Sequence, residues 1–259
     1  MQLCVFFAHI ASMVKQGGEL GEALSLAASL GVTGLDFKYE ELRDSENELM
    51  PMLRERGMEV SCIYRFYDFP TTPLCEDDLD LYRLAKRVGC RRVMPIACRG
   101  SHLEPEATWQ AILPPLRRLY DYGKSLGIAS CMEDFDNDLS PFHTVAGLSR
   151  LMAEAPDCGC TFDTGNFIHA GEDVEAAYEV LRSRIVHVHL KDRLISHDGS
   201  GKRVLAPCAV GDGQIPVARI LSRLREDGYD GAVSMEFFSV PDYREALIRS
   251  AEFVRPLLG

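Results

Sequence analysis

Residues 185–190 read Ile-Val-His-Val-His-Leu and lead directly into Lys191 and Asp192. Branched aliphatic side chains alternate here with imidazoles, which is the period of a β-strand. Successive side chains of a strand point to opposite faces, so Val186, Val188 and Leu190 pack one way while His187 and His189 turn the other. An apolar outer face and a polar inner face suit a strand that packs on helices and carries chemistry on its inner side.

The same test extends to the neighbouring strands. With Glu133 at the end of 128–133 facing inward, Cys131 follows it and Met132 goes outward. With Asp163 at the end of 160–163 inward, Thr161 shares its face and Phe162 goes outward. With Glu236 at the end of 232–236 inward, Ser234 follows and Val233 and Met235 face out. Four more strands are expected upstream at 3–8, 34–38, 59–64 and 92–97, which brings the count to eight.

Amphipathic helical patterns lie between the strands, at 18–30, 76–88, 106–126 and 174–183, and a last one at 243–258 closes the series. Gly31, Gly57, Gly89 and Gly127 stand where helices should stop. Strand and helix alternating in this way predict a parallel sheet wrapped in helices. At 259 residues, with 46% hydrophobic residues, the chain has the length and apolar content of one (β/α)8 TIM barrel spanning 1–259 as a single domain. An open doubly wound sheet is the competing arrangement, but no glycine-rich dinucleotide fingerprint follows the first strand.

The net charge of −11, with no basic run, excludes nucleic acid as a partner. No apolar stretch of membrane-spanning length and no charged start before an apolar leader is present, so a cytoplasmic protein is expected. Nine cysteines, among them Cys4, Cys62, Cys131, Cys158 and Cys160, fall in apolar segments and read as buried thiols. Cys158 and Cys160 share a strand face but have no second pair at zinc-finger spacing.

Chemistry in such a barrel gathers at the C-terminal ends of the strands. Strands five to eight each bring one metal-ligand residue there, Glu133, Asp163, His189 and Glu236. Three carboxylates crowded together repel one another unless a cation lies between them. One divalent metal ion, Mn²⁺, Mg²⁺, Co²⁺ or Zn²⁺, suits this hard oxygen and nitrogen set.

The segments MED at Glu133, FDTGN at 162–166, VHVHLKD ending at Asp192, AVGDGQIP at 209–216 and GYDGAVSMEFF around Glu236 together resemble the xylose-isomerase-like TIM barrel superfamily of sugar and sugar-phosphate isomerases and epimerases. The resemblance runs over almost the full length and is carried by the second half. In the ketose 3-epimerase branch the four matching residues bind the metal, and the two glutamates also move the proton. It therefore implies catalytic roles for Glu133 and Glu236. Asn166 stands where ketohexose epimerases have a histidine, and DTGN with HLKD looks more like the ketose-phosphate 3-epimerases, for which Asn166 and Lys191 would touch substrate. His9, Lys38, Arg65 and His102, near the ends of strands one to four, are further candidates for shaping a sugar pocket. Endonuclease IV shares the barrel, but its additional histidines are missing here.

The resemblance implies an isomerase or epimerase of a small ketose or ketose phosphate working through an enediolate. It also admits homo-oligomers, since such barrels often associate. Two other functions stay open: a dehydratase of inosose or dehydroshikimate type, and a non-catalytic sugar-binding barrel.

Overall fold

The computed structural model describes residues 1–97 and 103–259. In chain order its strands are β1 (Gln2–Phe6), β2 (Gly34–Lys38), β3 (Glu59–Tyr67), β4 (Arg92–Ala97), β5 (Ala129–Glu133), β6 (Cys158–Asp163), β7 (Ile185–Lys191), β8 (Arg193–His197), β9 (Arg203–Pro207) and β10 (Ala232–Glu236). Eight of them close into a parallel barrel in the order β1-β10-β7-β6-β5-β4-β3-β2. Helices lie between successive barrel strands. The expected (β/α)8 barrel is thus the fold of this chain. Among the described residues no helix is long and apolar enough to cross a membrane.

Alternation along the strands sorts the core into two parts. Met132, Phe162, Val188, Leu190, Val233 and Met235 join the outer cluster between sheet and helices, as their positions predict. Phe6, Cys62, Tyr64, Met94, Ile96 and Cys131 form a separate cluster inside the barrel. Glycines end four of the helices as expected: Gly89 follows α4 (Asp80–Val88), Gly127 follows α5 (Pro105–Leu126), and Gly31 and Gly57 stand just past the helices Leu20–Ser29 and Tyr39–Glu55, all at positive φ, which costs glycine little.

The structure departs from expectation in four places. The first strand stops at Phe6, and α1 (Phe7–Lys15) begins at once, so Ala8 is helical. Strand β3 runs on to Tyr67. Residues between β7 and α8 (Val217–Glu226) form an antiparallel hairpin, β8 with β9, standing outside the barrel. Val186 does not pack outward: Cys160 pairs with Ile185 but Thr161 pairs with His187, so Val186 is an extra residue in the ladder. The bulge tips it onto the inner cluster, over Gly159, where a side chain would collide with it. A similar bulge in β3 leaves Ser61 without a partner opposite Leu35 and Asp36.

Candidate metal centre

Parallel register carries Glu133, Asp163, His189 and Glu236 to one place. Asp163 lies beside His189 across β6 and β7, and His189 beside Ser234, two residues before Glu236, across β7 and β10. One ligand atom from each of the four lies within 4.8 Å of all the others, and all four residues are buried. His189 Nδ1 is 3.3 Å from Glu133 Oε1 and 3.4 Å from Glu236 Oε2. Ligand atoms about 3 Å apart are what an ion bound at roughly 2.0–2.2 Å requires of its neighbours.

The local sequence aims these donors. In Asp163-Thr164-Gly165-Asn166, the Gly165 N–H donates to Asp163 Oδ1 at 2.7 Å, which leaves Oδ2 turned toward the site. A Cβ on Gly165 would come within 2.8 Å of the Lys191 carbonyl oxygen, so only glycine lets this turn lie against the end of β7. The Thr164 hydroxyl donates to the Lys191 carbonyl at 2.8 Å and accepts from the Lys191 N–H at 2.9 Å. Asn166 then bridges: its Nδ2 donates to Glu133 Oε1 at 3.1 Å and to the Asp134 carbonyl at 2.7 Å, while its Oδ1 accepts from Lys191 Nζ at 2.9 Å. Lys191 Nζ also contacts Glu236 Oε1 and lies 3.3 Å from Asp163 Oδ2.

The electrostatics of this cluster call for a cation. Burial pushes the Glu133 and Asp163 carboxyl groups above their ordinary range. Burial opposes charge on His189, yet Glu133, Asp36 and Glu236 outweigh it and hold its pKa well above the usual imidazole value. His189 Nδ1 and Asp163 Oδ2 are both buried and make no hydrogen bond. A divalent ion among the four residues would satisfy both atoms and supply the missing positive charge, so the donor set fits such an ion.

The sequence pattern of xylose isomerase-like TIM barrels matches residues 24–257. The chain belongs to this family. An inosose dehydratase of Lacticaseibacillus casei is 30% identical over 140 residues, which is 49% of this chain and 46% of that protein. The chain therefore spans less than half the length of the curated relatives that it matches. Among solved structures, a probable 3-DHS dehydratase, AsbF, of Bacillus anthracis superimposes with a TM-score of 0.77 at 15% identity, covering 98% of this chain and 99% of the other. D-Psicose 3-epimerase of Clostridium cellulolyticum H10, solved with D-tagatose, gives 0.74 at 17% identity over 100% and 99%. At these identities the two structures are alike in fold.

Around the ligands, this xylose isomerase-like barrel has a supporting layer that motif reading passed over. Asp36, on the inner face of β2, lies with Oδ2 3.3 Å from His189 Nε2 and accepts a 2.7 Å hydrogen bond from His187 Nε2. Its Oδ1 accepts from the Ser61 hydroxyl on the β3 bulge. Burial works against this carboxylate, but the two histidines overcome it and keep it ionised. Asp192 has a different task. Its carboxylate accepts from the N–H groups of Gly211, Gly213 and Ile215 at 2.9–3.0 Å and so moors the AVGDGQIP loop after the hairpin.

The remaining candidates are placed unequally. Asn166 and Lys191 line a cavity of about 500 Å³ above the carboxylates, and Lys38 reaches its rim. Arg65 does not. Tyr64 and Phe66 take the inner face of β3, so Arg65 points outward, stacks between Tyr39 and Tyr67, and pairs with Asp78 at 3.2 Å. His9 is fully buried in α1, off the cavity, where its Nε2 accepts from the Phe237 N–H at 3.0 Å and its ring stacks on Phe237. It props the turn after Glu236. His102 lies outside the described residues.

His9 makes stability depend on acid. Burial, reinforced by the Lys191 charge, pushes its pKa down to about 3. The unfolded chain binds that proton near the ordinary value of about 6.5. Stability is therefore complete above about 6.5 and falls by about 1.4 kcal/mol per pH unit below it, until the folded pKa is reached. His187, brought down to about 4 by burial, adds a slope of the same sign. In denaturant unfolding at pH 7.5 and pH 5, His9→Gln should lose about 2 kcal/mol less than the wild type between the two conditions. Equal losses would mean that His9 is not held neutral.

Proposed function

We propose that this chain is a divalent-metal-dependent isomerase or epimerase of a small ketose or ketose phosphate, taking a proton from the carbon beside the carbonyl and passing through an enediolate. The observation that carries the reading is the convergence of Glu133, Asp163, His189 and Glu236 with two buried ligand atoms lacking hydrogen bonds. A bound divalent cation would polarise the carbonyl and offset the charge of the enediolate. Glu133 and Glu236 stand on strands separated by β6 and β7, so they reach the substrate from different sides. One, as the carboxylate, removes the proton, and the other, as the carboxylic acid, delivers a different proton to the opposite face, which inverts the carbon. Asn166 holds Glu133 in place, and the Lys191 ammonium stands ready to pair with an enediolate oxygen or a phosphate.

Lys191 also favours a second reading, dehydration. Its ammonium can hydrogen-bond a departing hydroxyl and offset the negative charge that develops there, and the L. casei relative is an inosose dehydratase. Both reactions begin with the same proton. Incubation in ²H₂O with a panel of free and phosphorylated ketoses and keto-inositols, with and without chelator, should show metal-dependent deuterium uptake at one carbon. Retention of the hydroxyl marks isomerisation or epimerisation, whereas a new enone absorbance marks dehydration. Absence of exchange with every ketone, in the presence of Mn²⁺, Mg²⁺, Co²⁺ and Zn²⁺ in turn, would overturn both.

A further inference from the structure

The cavity above the carboxylates has two unlike walls. One is polar and is built from Glu133, Asn166, Lys191 and Glu236. The other, among the described residues, is built from Phe6 on β1, Tyr64 and Phe66 on β3, and Met94 and Ile96 on β4. Phe135 and Phe238 close over it from the loops after β5 and β10. The aromatic wall starts at the candidate ligands themselves: the Phe6 ring meets His189 edge-on at 4.8 Å, Phe238 at 5.4 Å and Tyr64 at 5.7 Å. Lys38 is the charged side chain on this side, and it stands at the rim, 3.6 Å from Glu40.

A bare ketose suits only half of this space. It carries a hydroxyl on nearly every carbon, and a hydroxyl buried against rings and thioether without a partner weakens binding. One C–H face of a sugar can lie on one ring, but here five side chains from three strands and two more from loops surround the same volume. A cavity of about 500 Å³ in which an apolar wall faces a polar one matches a ligand larger than a monosaccharide, with an apolar part beside its polar one.

The position of Phe238 supports this. It keeps 39% of its surface exposed at the mouth, where a large apolar side chain loses free energy to water. The turn that holds it is fixed on both sides. Phe237 N–H is bonded to His9, and Ser239, at φ 67°, has its N–H bonded to Tyr243 Oη at 3.0 Å. A left-handed non-glycine residue next to an exposed aromatic is strain kept at a ligand-facing turn.

Resting on the function proposed above, we propose that the substrate is a sugar-derived ketone bearing an aromatic substituent, with the ketone end against Glu133 and Glu236 and the aromatic group against Phe6, Phe66 and Phe238. The test is binding of methyl β-D-glucopyranoside and phenyl β-D-glucopyranoside to the full chain in Mg²⁺, by calorimetry and saturation-transfer NMR. The phenyl glycoside should bind at least about 10-fold more tightly, with transfer concentrated on its ring protons. Phe238→Ala, which removes an exposed side chain and leaves the barrel packing in place, should shrink that advantage, and Phe135→Ala should shrink it again. Equal affinities, no binding of either glycoside, or an advantage that survives both substitutions would overturn the proposal. Failure of the proton-abstraction reading shows itself separately, as no deuterium uptake by any ketone while the phenyl preference persists.

Discussion

Turnover is expected to fall by about 10²- to 10⁴-fold when Glu236 is replaced by glutamine, the loss that follows removal of a positioned base. Glutamine keeps the volume of a side chain that is 5% exposed and sits between Lys191 and His189. What it removes is the charge and the proton acceptor. Lys191 still has Asp163 and Asn166 beside it, so the barrel should fold. Glu236 is also a candidate ligand, and the measurement must therefore separate two losses. Metal content of the variant reports the first, and deuterium exchange at saturating metal reports the second. The proposed chemistry requires exchange to collapse even where metal occupancy is restored by excess ion. An unchanged rate would remove Glu236 from the reaction. A wild-type protein that binds ketones yet exchanges no proton with any of them would instead support a binding barrel.

The second half of the barrel was open to sequence reading because four strands repeat one physical pattern, apolar outward and polar inward, each ending on a ligand-type residue. Met132, Phe162, Val188 and Met235 all lie where that alternation puts them. Val186 breaks the pattern because a bulge inserts one residue into the ladder, and a bulge leaves no mark in the alternation that it disrupts. Alternation by itself was enough to turn Arg65 outward, since Tyr64 and Phe66 on either side form the inner wall. The hairpin from Arg193 to Pro207 is short, polar and largely exposed, and neither hydrophobic period marks it. Asp36 had a signal that motif spacing does not use. In Gly34-Leu35-Asp36-Phe37-Lys38 the apolar residues face out, so the carboxylate faces into the barrel, where it must find a partner.

Asp36→Ala should weaken metal binding by about 10- to 100-fold and lower folding stability by about 3–5 kcal/mol. Three groups converge on this carboxylate, the Ser61 hydroxyl and the Nε2 atoms of His187 and His189, and neither Nε2 atom has another acceptor in reach among the described contacts. Alanine leaves the two imidazole Nε2 atoms buried with no acceptor beside them. The stability loss follows from that alone. The loss of affinity follows from orientation: His189 presents Nδ1 to Glu133 and Glu236 because its Nε2 faces Asp36, and this contact also makes the imidazole a better donor. Asp36→Asn tells the two effects apart. The asparagine side-chain oxygen can still accept from a histidine, so it should recover much of the stability, measured by denaturant unfolding of the metal-free protein. It carries no charge, however, so metal titration should still show weakened affinity. Full affinity in both variants, alongside reduced stability, would make Asp36 a packing residue and leave His189 to orient itself.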